Sequence, residues 1–222
     1  MKIKDPKNII NTRYGEGSLH QQNRIKQTIL KALGNHSRIS LIRLDLHFPD
    51  DDIHFLMDYE VISRFFKDVK EQIPAYLRKK LKQMKLNKTD KAVRVHDTKV
   101  SYFWVREYGK ETYYIGQKVH YHIVLLLNHD AFNSIRFTKG EVETLYNVIA
   151  DCWLKATEIF NIKYRKLVHI PSNPVYSFTR KDLEEKGIDG LYDPMKDRLD
   201  YFIKFKSKDF HNNRRSFGCS QG

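Results

Sequence analysis

Between residues 38 and 48 the sequence RISLIRLDLHF alternates. Ile39, Leu41, Arg43, Asp45 and His47 fall on one side of an extended chain and Ile42, Leu44, Leu46 and Phe48 on the other, so the period of two predicts a strand. The PDDD that follows ends it. A helical period precedes it: Ile25, Ile29 and Leu33 share a stripe, predicting a helix from a Ser18 cap to about Gly34. Residues 1–17 are polar, with Pro6, Gly15 and Gly17 as breakers, and read as an arm. Residues 57–85 place Val61, Phe65, Val69 and Ile73 on one stripe, predicting a long helix that Pro74 should kink or split. Residues 91–107 carry a strand, clearest in SYFWVRE, and a polar loop with Gly109 and Gly116 leads to the strand VHYHIVLLLN. Closeness in sequence makes these two an antiparallel pair. A helix is predicted over 139–160, with Val142, Leu145, Ile149, Cys152 and Ile159 roughly in phase. KLVHI is a short strand, a Pro- and Gly-containing loop follows, and 194–208 is a last helix.

Without the first and last helices, the order is strand, helix, strand, strand, helix, strand. That βαββαβ core predicts an α+β fold of the ferredoxin-like type, an antiparallel sheet with helices on one face, plus N- and C-terminal helical additions. The chain then divides into an arm and helix (1–35), a main domain (36–210) and a basic flexible tail (211–222).

Charge narrows the partner. Among 222 residues, Lys+Arg number 40 against 27 Asp+Glu, a formal charge of +13 that favours a polyanion. Hydrophobic residues at 41% allow a sizeable core. Two cysteines, Cys152 and Cys219, make a disulfide framework improbable and fit a reducing cytoplasm. The N-terminus has no apolar core of a secretory signal, and no apolar run reaches the about 18 residues of a membrane span.

The chemistry is concentrated in VHYHIVLLLN. His120 and His122 lie two apart on a strand, so both imidazoles face the same way, while Tyr121, Ile123, Leu125 and Leu127 form an apolar opposite face. Two such imidazoles can grip one divalent cation. Glu107, on one face with Phe103 and Val105, is the first candidate for a third ligand; Asp45 and His47 come second. Two histidines and a carboxylate suit Mg²⁺ or Mn²⁺ acting on a phosphate. In RLDYFIKF, Tyr201 and Lys204 are neighbours at helical spacing, with Lys208 one turn on. A flanking ammonium and a polarised phosphate help a phenol, a weak nucleophile at neutral pH, to attack. Arg78, Lys79, Lys80, Lys82 and Lys85 form a basic half-helix that fits a phosphate backbone or a solvated face, and Arg214 and Arg215 a basic tail. Tyr102 and Trp104 share a strand face, available for base stacking or for the core.

The segments WVREYG, HYHIVLLLN, RLDYFIKF and RSFGCSQG together resemble the HUH endonucleases, most closely the inovirus-type replication initiation proteins and the YagK/YfjJ C-terminal-domain group. The resemblance implies that 36–210 is a metal-dependent nicking domain. In it His120, His122 and Glu107 would hold the metal, and Tyr201, accompanied by Lys204, would attack single-stranded or origin DNA to form a 5′-phosphotyrosine at the start of rolling-circle replication of a phage, prophage or plasmid. The resemblance implies host helicase and polymerase as partners; no Gly-rich Lys loop of a helicase is visible, so strand separation falls to another protein. Lys208, Arg214 and Arg215 would join Arg78, Lys79, Lys80 and Lys82 in binding DNA. The alternative is a non-catalytic nucleic-acid-binding or regulatory protein on the same fold.

Overall fold

The computed structural model of the protein describes residues 8–49, 58–86, 96–108, 119–137, 143–206 and 215–220. The fold is mixed α and β, with antiparallel sheets and five α-helices among the described residues. A two-stranded hairpin comes first, β1 (Ile9–Thr12) and β2 (Gly15–Ser18), within the stretch the sequence reads as a polar arm. Helix α1 (Leu19–Asn35) starts as expected, with the Ser18 side chain accepting from Gln21 N.

β3 (Arg38–His47) lies one strand in from an edge of the main sheet. It pairs antiparallel with β5 (Val119–Asn128), which pairs antiparallel with β4 (Ser101–Tyr108). The other edge of β3 is shared end to end. β7 (Val175–Thr179) covers Arg38 to Ile42, and β6 (Val168–His169) covers Asp45 and Leu46. β8 (Phe217–Cys219) adds to the far edge of β4. Part of the expected flexible tail is therefore a paired strand. Gly218 permits this: a Cβ there would lie 2.6 Å from Trp104 Nε1, so only a bare backbone can cross the indole.

Alternation in β3 and β5 divides the core between two faces. Ile42, Leu44 and Leu46 of β3 and Tyr121, Ile123, Leu125 and Leu127 of β5 pack against α2 (Val61–Leu86) and α3 (Leu145–Ala156). Ile39, Leu41, Val124 and Leu126 face α1, α4 (Arg180–Tyr192) and α5 (Lys196–Ile203). Each fully buried Leu or Ile contributes roughly 1.5–3 kcal/mol. The second face is thus covered by the added helices.

Four expectations are corrected. Pro74 does not split α2, which runs through it as one helix. Proline removes one intrahelical donor, and the buried stripe on both sides of it, from Val61 through Phe65 and Ile73 to Leu77, holds the two halves together. α3 is shorter than 139–160: Thr144 caps its start, and Glu158, with φ of 58°, stands in the left-handed region beyond its end. The segment read as a loop contains β7 and α4. Thr179 and Asp182 close a reciprocal capping box at the head of α4, and Gly187, with φ of 66°, kinks that helix. The last helix ends at Ile203 rather than near 208, because the hairpin captures the chain there. Phe205 N donates to Glu16 O at 2.9 Å, and Lys204 bridges to Gly17.

Candidate metal centre and nucleophile

The strand register assembles the site. His120 pairs directly with Glu107 on one side and His47 on the other. One step inward, His122 lies between Val105 and Asp45, and Asp45 pairs in turn with His169. Directly paired residues point to the same face. The chain therefore places Glu107, His120, His122, Asp45 and His47 at one end of the sheet, on the side covered by α5.

Glu107, His120 and His122 each offer a ligand atom, all within 4.8 Å of one another. The Nε2 atoms of His120 and His122 are 3.2 Å apart, and His122 Nε2 is 3.5 Å from Glu107 Oε2. Ligands about 2.1 Å from one ion and at right angles stand about 3 Å apart, so the set is close to a cation's requirement. Glu107 is only 2% exposed, and its Oε1 has no hydrogen-bond partner among the described residues. A buried carboxylate oxygen left unpaired costs free energy. It and the two imidazoles supply the nitrogen and oxygen donors that a hard or borderline divalent cation takes, so the residues fit such an ion.

Asp45, a second-choice metal ligand in the sequence, instead supports His122. Its Oδ1 lies 2.6 Å from His122 Nδ1. An acceptor there keeps the Nδ1 proton in place and leaves Nε2 for a ligand. Asp45 is thus a partner of a candidate ligand and stands outside the Glu107, His120 and His122 group, and His47 stacks on His120 with ring centres 5.6 Å apart. The signal was available: Asp45 and His122 meet as soon as β3 and β5 are paired, but no turn in the sequence sets that register.

Charge is dense here. Burial would raise the Asp45 carboxyl, but the hydrogen bond and charge of His122, with Arg43 beyond, hold it below the usual carboxylate value. Burial acts the same way on Glu107, and His122, Lys204 and the Tyr201 hydrogen bond again outweigh it. Burial would lower His122, but Asp45 and Glu107 raise it above the ordinary imidazole value.

Tyr201 enters from α5. Its hydroxyl donates to Glu107 Oε2 at 3.0 Å, and its ring meets His122 edge-on at 5.3 Å. Burial first, then the charge of Glu107 and the bond to it, push the phenol well above its ordinary value. Lys204 is also here, though not by helical spacing. As the cap of α5 it is extended (φ −56°, ψ 145°), and its ammonium lies 3.2 Å from the Tyr201 ring centre and 3.4 Å from Glu107 Oε2.

The expected DNA contacts divide. Arg78, Lys79, Lys80 and Lys82 are exposed on α2, across the sheet from this site. Arg78 borders a cavity with Asp97, Lys99 and Ser101 at the opposite end of β4 from Glu107, roughly 20 Å along the strand. Lys79 is paired with Glu143. Arg215 is exposed, two residues before Phe217, whose partner on β4 is Val105, and so lies at the Glu107 end. Lys208 and Arg214 are outside the described residues, as is the side chain of Lys85. Trp104 is core, and Tyr102 stacks on Phe66 at 3.6 Å. Among the described residues no helix is long and apolar enough to cross a membrane.

Comparison with known proteins places the chain. It is 33% identical over 208 residues to the uncharacterized protein YfjJ of Escherichia coli (strain K12), covering 90% of this chain and 93% of that one. It is 28% identical over 215 residues to the uncharacterized protein YagK of the same organism, covering 94% and 95%. No solved structure matches. The family model of the YagK/YfjJ C-terminal domain matches residues 2–220, and the chain belongs to that family.

Proposed function

We propose that the protein is a metal-dependent, single-strand DNA nickase and strand transferase of the HUH type, acting through Tyr201 to start rolling-circle replication. One observation carries this reading: the Tyr201 hydroxyl lies 3.0 Å from the carboxylate that completes the two-histidine ligand set. The strand order β6-β3-β5-β4, in which β3, α2, β4, β5, α3 and β6 follow one another along the chain, supports a ferredoxin-like core beneath it. The surplus of positive charge fits a polyanionic substrate.

In this mechanism His120, His122 and Glu107 would hold a Mg²⁺ or Mn²⁺ ion, which would supply Lewis-acid chemistry toward a phosphate. Asp45 keeps His122 in the tautomer that presents Nε2. Tyr201 Oη attacks phosphorus while its proton leaves along the hydrogen bond to Glu107 Oε2. The bond from phosphorus to the 3′ oxygen breaks. The 5′ phosphate stays on Tyr201, and the 3′ oxygen takes up a proton to become a free hydroxyl. Lys204 keeps an ammonium against the ring whose oxygen carries charge as it attacks. Reversal with a new 3′-hydroxyl rejoins the strand.

The test uses single-stranded oligonucleotides tiling the DNA around the gene, with Mn²⁺. A covalent 5′ adduct on Tyr201 is expected, absent with a chelator and absent in Tyr201→Phe, which still binds DNA. An adduct persisting in Tyr201→Phe refutes the nucleophile. Salt-sensitive binding with no adduct, indifferent to chelator and to His120→Ala/His122→Ala, would favour a non-catalytic binding protein.

A further inference from the structure

Beside Tyr201 is a cavity of about 520 Å³, lined by Arg13, Tyr14, Arg43, Asp197, Arg198 and Tyr201. That size falls in the roughly 300–1,000 Å³ range of small-ligand sites. Its three arginines come from separate parts of the chain: the β1–β2 turn, β3 and α5. We propose that this cavity binds one unpaired nucleotide of the single-stranded DNA, with its phosphate on Arg43 and Arg198 and its base against Tyr14. The proposal rests on the nucleic-acid reading of the site, but not on the cleavage step.

The charges are not all spent within the protein. Asp197, the acidic residue of the lining, is ion-paired to Arg13. Arg43 reaches only the Asp45 oxygen that His122 already occupies, at 3.5 Å against 2.6 Å, and its buried Nε has no hydrogen-bond partner. A buried guanidinium N–H without an acceptor is costly, and a phosphate oxygen is the acceptor its planar fork fits. Arg198 forms no ion pair among the described residues and rests 5.8 Å from the Tyr176 ring centre. An anion entering the cavity therefore meets Arg198, in no ion pair among the described residues, and Arg43, whose ion pair to Asp45 at 3.5 Å leaves its Nε without an acceptor.

The aromatic wall makes this a nucleotide site instead of a bare phosphate site. Tyr14 stands edge-on to Tyr201, ring centres 5.2 Å apart, with the Arg13 guanidinium 5.1 Å from its own centre. Flat rings backed by arginine are what bases stack on in single-strand grooves. A base reaches such a wall only when it is unpaired, so the cavity selects single strands. Tyr201 lines the same space, so the nucleotide held there is next to the phosphate under attack.

The test measures anisotropy of a labelled short oligothymidine across a salt series, with a chelator present so that no cleavage intervenes. Arg198→Ala is expected to weaken binding about tenfold or more and to reduce the slope of log K against log salt by about 0.7. Arg198→Lys should recover the slope, and Tyr14→Ala should weaken binding with the slope unchanged. A duplex should compete poorly, and thymidine monophosphate should compete better than inorganic phosphate. Wild-type affinity and slope in Arg198→Ala would overturn the proposal. Equal competition by inorganic phosphate would overturn its nucleotide part. Because the metal is chelated, the outcome is independent of the Tyr201 adduct. Arg198 dependence without any adduct in Mn²⁺ would leave this site standing and remove the nickase.

Discussion

Asp45→Asn tests the design of the metal centre at its least obvious point. The substitution keeps the side chain's shape and removes its charge. In the native arrangement the carboxylate sits 2.6 Å from His122 Nδ1, and both side chains are about nine-tenths buried. It thereby fixes which imidazole nitrogen is available, and it makes that nitrogen a better donor. Loss of such a partner typically weakens metal binding about 10–100-fold, or about 1.4–2.8 kcal/mol. Mn²⁺ affinity from titration calorimetry should fall by that factor. Thermal stability gives an independent reading. Mn²⁺ at 100 times the native dissociation constant adds about 2.7 kcal/mol to the native protein, and about 1.4 kcal/mol to a variant binding tenfold more weakly. The penalty should also depend on pH. Asp45 is a main reason why His122 holds its proton above the ordinary imidazole value. The Asn variant therefore gives up that proton more readily, so its disadvantage is full at mildly alkaline pH and shrinks in acid. An Asn variant that folds and binds Mn²⁺ within about twofold of wild type at mildly alkaline pH would refute this role for Asp45, since a loss of about 10–100-fold is expected.

Wild-type Mn²⁺ affinity should itself climb with pH, about tenfold per unit while His122 is protonated, and flatten above its raised pKa, because the ion must displace that proton. Affinity that is flat between about pH 5 and 8 would count against it. Glu107→Gln removes the buried carboxylate 3.4 Å from the Lys204 ammonium and should cost about 1–3 kcal/mol in chemical denaturation. Glu107→Gln with Lys204→Met should recover most of that loss and still bind no Mn²⁺; a double variant as unstable as the sum of the singles rules out the coupling. Gly218→Val drives a side chain into Trp104 and should lower the urea midpoint by the equivalent of about 1–3 kcal/mol, with an unchanged midpoint as the contrary result.

Legibility in the sequence followed the range of the interaction. β3, β4, β5 and α1 are written in local periodicity, because each lies against apolar surface along nearly its whole length. His120 and His122 could be placed on one face for the same reason. What was not legible is how elements meet. The segment 109–118 separates β4 from β5 by no recognisable turn, so Glu107 opposite His120 is a tertiary fact. In α4, Gly187 and Gly190 gave the appearance of a loop. The Thr179–Asp182 capping box was the contrary signal. The stop of α5 at Ile203 has no local cause at all. RLDYFIKFKSK continues in helical phase, and it is Glu16 and Gly17, far back in the chain, that pull residues 204 and 205 into an extended path.

That capture links the hairpin to the chemistry. One face of the sheet is apolar along most of its length, with Ser40 and Arg106 as its buried polar residues near the two ends, and serves stability. The other is apolar only where Ile39, Leu41, Val124 and Leu126 meet α1 and α5. Past that point the same alternation delivers Asp45, His120, His122 and Glu107, which no hydrophobic contact can hold in place. Their alignment comes from strand register, and Tyr201 and Lys204 must be brought to them from a helix of eight residues. A helix that short is marginal on its own. Its far end is secured by the bridge from Lys204 to Gly17, where a Cβ would approach Ile203 O to 3.1 Å. Its near end is tied by Asp197 to Arg13 in the hairpin turn. The polar stretch that read as an arm in the sequence therefore clamps both ends of the segment bearing Tyr201, and it contributes two walls of the cavity in front of it.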